Sequence, residues 1–114
     1  MDDQLRQRLQ GLVEGHKIVL FMKGTKSFPQ CGFSATVVEV LKRLDAQFET
    51  VNILADADVR QGMKEYSNWP TFPQLYVEGR FVGGCDIVTE MFESGELQPV
   101  IDRALGRSGA AAPS

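Results

Sequence analysis

Three patterned stretches between residues 17 and 53 limit this chain to very few folds. Lys17-Ile18-Val19-Leu20-Phe21-Met22 is apolar without a break after its first residue, which is the pattern of a buried strand. Residues 33 to about 45 place Val37, Val38, Leu41 and Leu44 on one face of a helix. Phe48-Glu49-Thr50-Val51-Asn52-Ile53 is rich in β-branched and aromatic residues and reads as a second strand. A strand, a helix and a strand in that order form a βαβ unit. Its two strands run parallel, joined by a right-handed crossover.

The flanking sequence completes the layout. Leu5, Leu9, Leu12 and Val13 share one face of a first helix over 2–14, with Asp2 and Asp3 at its positive end and Gly15 as its stop. Ala55-Asp56-Ala57-Asp58 opens a further helix that runs to about Tyr66. Pro70 and Pro73 forbid regular helix in the segment that follows. Leu75-Tyr76-Val77 and Arg80-Phe81-Val82 flank Glu78-Gly79, a hairpin signal. Residues 86–94 and 96–105 read as short helices separated by Gly95. The expected organisation is one domain over 1–106 and a flexible C-terminal tail over 107–114. A parallel pair joined to an antiparallel pair predicts an α/β fold with a four-stranded mixed sheet and helices on both faces. This order resembles that of a thioredoxin-like domain.

Composition narrows the function classes. The 114 residues suffice for one domain that hides about two-thirds of its unfolded surface, without help from disulfides. The net charge is −3 and no basic stripe occurs, which argues against a nucleic-acid partner. No apolar run approaches the roughly 20 residues of a membrane span. Met1-Asp2-Asp3-Gln4 is unlike a targeting segment. Two cysteines are too few for a disulfide scaffold and suit a reducing compartment. The expected location is the cytoplasm, or an organelle matrix if a targeting segment has been removed.

Cys31 stands where the first strand hands over to the helix. Free N–H groups at a helix start carry partial positive charge, and a thiolate there is stabilised. The thiol pKa is therefore expected to lie below that of a free cysteine, favouring the form that attacks disulfides and binds metals. The plainer alternative is a small buried hydrophobe. Ser34 occupies the position where a Cys-x-x-Cys motif would have its second thiol, so Cys31 has no local partner. Cys85 is the other thiol of the chain. It either packs beside the site or forms a slow disulfide with Cys31, and the sequence leaves both open.

Cys31-Gly32-Phe33-Ser34 resembles the motif of the monothiol, CGFS-type glutaredoxins. Lys23-Gly24, the loop Thr25 to Pro29, Trp69-Pro70-Thr71-Phe72-Pro73-Gln74 and Gly83-Gly84-Cys85-Asp86 agree with that family in order, and the likeness extends over residues 4 to 105. The resemblance implies a glutathione site. Lys23 and Arg60 would meet a carboxylate of the tripeptide. Thr71 and Phe72 would offer backbone beside Pro73, which matches the family's cis-proline. Gly84 would allow close approach, and Cys85 and Asp86 would bind the γ-glutamyl end at a helix start. Trp69 is assigned to packing, and His16 is given no role.

Two function classes fit such a site. In one, which the resemblance favours, Cys31 and glutathione ligate a [2Fe–2S] cluster. Four thiolates are needed, so the cluster demands a homodimer with two glutathiones, acting in cluster assembly, transfer and iron homeostasis. BolA-type proteins and apo iron–sulfur acceptor proteins are then the implied partners. In the other, Cys31 reduces protein–glutathione mixed disulfides by a monothiol route, at most weakly. A bare thioredoxin-like binding module without redox chemistry ranks last.

Overall fold

The computed structural model describes residues 1–107. The βαβ unit forms as its pattern requires. Strand β1 (Ile18–Met22) runs parallel to β2 (Glu49–Asn52), with Val19 opposite Glu49 and Met22 opposite Asn52. Helix α2 (Gly32–Arg43) connects them. Strands β3 (Gln74–Val77) and β4 (Arg80–Gly83) form the hairpin, and β3 lies antiparallel to β1. The sheet order is β2-β1-β3-β4, the mixed four-stranded sheet expected.

All five residues of β1 are buried because helices cover both faces of the sheet. Ile18, Leu20 and Met22 join the core beneath α2, α4 (Cys85–Ser94) and α5 (Leu97–Leu105). Val19 and Phe21 point the other way, into the core beneath α1 (Asp3–Glu14) and α3 (Ala57–Ser67). This alternation is the two-residue period of a strand. Gly62 brings α3 close to α1, since a β-carbon there would lie 2.7 Å from Leu9 Cδ1.

Local chemistry sets the ends. The Asp2 carboxylate accepts the Leu5 N–H at 2.7 Å and caps α1. Asp56 caps α3 by accepting from Asp58 and Val59, and it also pairs with Arg8 of α1. Glu78 and Gly79 both have positive φ, 53° and 78°, which matches the twist of a two-residue hairpin turn. Gly15 ends α1 in a right-handed conformation, so it stops the helix without the left-handed cap common at such glycines. Helix α4 starts at Cys85, one residue before the span read from sequence. No helix among the described residues is long and apolar enough to cross a membrane.

Residue 107, the expected start of the tail, is tied to the fold. The Arg107 guanidinium donates to Asp45 O at 2.7 Å, to Leu44 O at 3.0 Å and to Asp102 Oδ1 at 2.9 Å. Asp102 is a charged group only 1% exposed. Residues 108–114, the remainder of that expected tail, lie outside the described residues. Removing the guanidinium leaves a buried carboxylate with Gln98 as its remaining side-chain donor. Arg107→Ala is expected to lower unfolding stability by about 3 kcal/mol, read from the midpoint of urea unfolding.

Candidate active site

A cleft of about 340 Å³ opens where β1 ends and where α2 and α4 begin. That volume lies within the range of small-ligand sites. All nine residues singled out from the sequence line it: Lys23, Cys31, Arg60, Thr71, Phe72, Pro73, Gly84, Cys85 and Asp86. Their spread over more than 60 positions of sequence is closed by the fold, because the strand exits and two helix starts share one edge of the sheet.

Cys31 is the N-cap of α2, in extended conformation (φ −149°, ψ 134°), half-buried and free. Its thiol pKa is held below the ordinary value. The backbone N–H of Ser34 is the main cause, partial burial opposes it, and the Phe33 N–H, the Lys23 charge and the Ser34 hydroxyl add to the lowering. The sulfur makes no capping hydrogen bond. The effect is therefore that of nearby aligned dipoles and one cation rather than of a formed bond. These are the dipoles of the helix start from which a stabilised thiolate is expected.

The loop before Cys31 is folded back on itself. Thr25 and Phe28 exchange backbone hydrogen bonds of 3.2 and 3.1 Å, and Gly24 pairs with Pro29. Lys26 fastens this loop to the start of β2. Its Nζ donates to Phe48 O at 2.6 Å and lies 4.2 Å from the centre of the Phe48 ring. Two rings are left facing solvent around the cysteine motif, Phe28 at 73% exposure and Phe33 at 63%.

The facing wall is built by residues 69–73 and α4. The Phe72–Pro73 peptide is cis. Buried Gln74 holds this wall, donating through Nε2 to Trp69 O and Thr71 O at 3.2 Å and accepting from Tyr76 Oη at 3.2 Å. Gly84 is packed against the protein itself. A β-carbon there would sit 3.3 Å from both Pro73 O and Trp69 Nε1. Internal crowding is thus a reason for glycine here. Cys85 is free and half-buried, with Sγ 4.0 Å from Thr89 Oγ1.

Five lining residues were not singled out as site residues from the sequence: Phe33, Lys64, Trp69, Pro70 and Ile87. Lys64 carried a usable signal, since it follows Arg60 by four residues and so shares its helix face. Trp69 does pack, with its ring 5.8 Å from Phe81, but it also walls the cleft. Lys23, Arg60 and Lys64 have no ion-pair partner among the described residues, and the same is true of Asp86. The cleft therefore presents three free cations and one free carboxylate, an arrangement suited to a small ligand with carboxylates and an amine.

The sign of the Cys31 shift has a kinetic consequence. A lowered pKa keeps the thiolate populated to lower pH. Alkylation of Cys31 by iodoacetamide is expected to reach half its limiting rate at a pH below that of a free cysteine. Lys23→Gln is expected to raise that midpoint while leaving it below the free value, because the Ser34 N–H contributes more than Lys23 does. The pH–rate profile of alkylation checks both.

Known proteins agree with this architecture. The family model described as glutaredoxin matches residues 18–82. A chloroplastic monothiol glutaredoxin-S7 of rice (Oryza sativa subsp. japonica) is 58% identical over 102 residues, covering 90% of this chain and 61% of its own length. The chain thus spans about three-fifths of that relative. A ycf64-like monothiol glutaredoxin of Synechocystis is 54% identical over 105 residues, covering 92% of this chain and 98% of its own. The solution structure of reduced apo GrxS14 from poplar superposes with a TM-score of 0.78 at 61% identity, covering 89% of this chain and 93% of the other. A buckwheat glutaredoxin–glutathione complex superposes with a TM-score of 0.78 at 25% identity, covering 91% and 96%. With its mixed four-stranded sheet, its serine three residues after the cysteine and these relatives, the chain belongs to the glutaredoxin family, on its monothiol branch.

Proposed function

We propose that the cleft binds glutathione and that two such complexes share a [2Fe–2S] cluster, which the protein holds for assembly and transfer. The observation that carries this reading is a stabilised Cys31 thiolate at the mouth of a tripeptide-sized cleft, with serine where a partner thiol would stand. Glutathione fits the free charges. Its glycine carboxylate meets Lys23 and Arg60, its γ-glutamyl carboxylate meets the N–H groups at the start of α4, and its amine meets Asp86. The backbone of Thr71 and Phe72, beside Pro73, pairs with the peptide as an added strand would. The buckwheat glutaredoxin–glutathione complex supports this occupant by likeness.

The donor set supports the dimer. Among the described residues no group of three or more His, Cys, Asp or Glu is arranged to hold a metal. One chain offers Cys31 and one bound glutathione thiol, half of the four thiolates required. Two chains with two glutathiones complete the set. The cluster, when bound, supplies a pre-assembled inorganic cofactor for an acceptor. Cys31 holds it through sulfur, and the cleft keeps the second thiol of each half in place. Apo iron–sulfur proteins are then the recipients, with BolA-type proteins as a further partner. The two free cysteines suit a reducing compartment, the cytoplasm or an organelle matrix.

The accessible Cys31 thiolate favours a second, weaker activity. Cys31 attacks the glutathione sulfur of a mixed disulfide and releases the protein thiolate. The thiolate of a second glutathione then attacks the Cys31–glutathione disulfide, freeing Cys31 and forming glutathione disulfide.

Anaerobic reconstitution with iron, sulfide and glutathione separates these readings. The wild type is expected to gain visible absorption and to elute as a dimer, and Cys31→Ser to stay colourless with an unchanged circular dichroism spectrum. An equally coloured serine variant would remove Cys31 from the ligand set. Lys23→Ala is expected to shorten the lifetime of the colour at limiting glutathione. Turnover of glutathione mixed disulfides is expected to be slow, and fast turnover would promote the second activity over the first.

A further inference from the structure

Ser34 stands where a second cysteine would, and its N–H and hydroxyl both help to lower the Cys31 pKa. Its side chain is fully enclosed, 0% exposed, and its Oγ accepts the backbone N–H of Lys23 at 3.1 Å. The next N–H along the chain, that of Gly24, is accepted by Asn52 Oδ1 at 2.9 Å. The Lys23 carbonyl accepts the Gln30 N–H at 2.8 Å. Lys23 lies one residue past the end of β1, where the pairing with β2 has stopped. These three hydrogen bonds take the place of the ladder. They join Lys23 and Gly24 to the cysteine helix, to the residue before the cysteine and to β2.

We propose that Ser34 is a positioning residue whose hydroxyl ties the backbone of Lys23 to the helix that begins at Cys31, so that cation and sulfur keep one spacing across the cleft. The proposal rests on the reading that Lys23 meets the glycine carboxylate of glutathione. A hydroxyl oxygen is a good acceptor, whereas a thiol sulfur is a weak one. Serine therefore does at this position what cysteine does poorly. Alanine would take the acceptor from the part-buried Lys23 N–H and so favour a shift of Lys23.

Amide hydrogen exchange of the ligand-free protein, followed by NMR, reads this tie directly. The Lys23 amide is expected to exchange slowly in the wild type and in Ser34→Thr, and about tenfold faster in Ser34→Ala, while the Leu20 and Phe21 amides stay protected. Calorimetric titration then reads its use. Ser34→Ala is expected to weaken glutathione binding about fivefold, the worth of one hydrogen bond of about 1 kcal/mol. It is expected to change binding of the glycine-amide of glutathione by less than about twofold, and to add as little in a Lys23→Ala background. Unchanged Lys23 exchange in Ser34→Ala, or equal losses for both ligands, overturns the proposal. If Ser34→Ala loses protection of β1 as well, the other two proteins decide. Slow Lys23 exchange in both supports the tie, and fast exchange in either overturns it. A wild type that binds no glutathione removes the glutathione reading, and the exchange arm still decides the role of Ser34.

Discussion

β1 has no exposed face, and the rest of the architecture answers to that. A five-residue strand buried on both sides needs a paired strand at each edge and a helix layer above and below. The parallel partner requires a crossover, and the crossover helix must begin at the edge where β1 ends. Cys31 is consequently delivered to the end of the sheet, at a helix start, with Lys23 beside it. The chemistry of the sulfur is a by-product of burying Ile18 to Met22.

Much of this was legible in the sequence because strong periodicities coincided with strong breakers. The apolar run of β1, the stripe Val37-Val38-Leu41-Leu44 and the turn at Glu78-Gly79 each had one reasonable reading. The candidate site was legible for a different reason. Its residues sit in short motifs that resemble those of a known family, and all nine line one cleft. What stayed hidden was contact across long sequence distances. Nothing local announces that Lys26 reaches Phe48, that Gln74 braces residues 69–71, or that Arg107 reaches back to Leu44 and Asp45. Long polar side chains on loops have no period, so their partners appear only with the fold.

The site is lopsided in charge although the chain as a whole is acidic. Three cations and one carboxylate without ion-pair partners among the described residues line the cleft, against a net charge of −3 for the molecule. Local field rather than total charge governs what approaches at this range, since beyond about 10 Å salt screens exposed charges from one another. Lys23 belongs to both parts of this field, since it lines the cleft and its charge helps to hold the Cys31 thiolate.

Gln74 carries a consequence for how anything enters this cleft. Its amide joins two carbonyls of the 69–73 wall and a tyrosine hydroxyl inside the core, so the wall is fastened before a guest arrives. A guest then meets a finished mould rather than a pliable rim. Little conformational freedom remains for it to freeze, and more of the contact energy survives as affinity. Arrival should resemble a key seating in its lock.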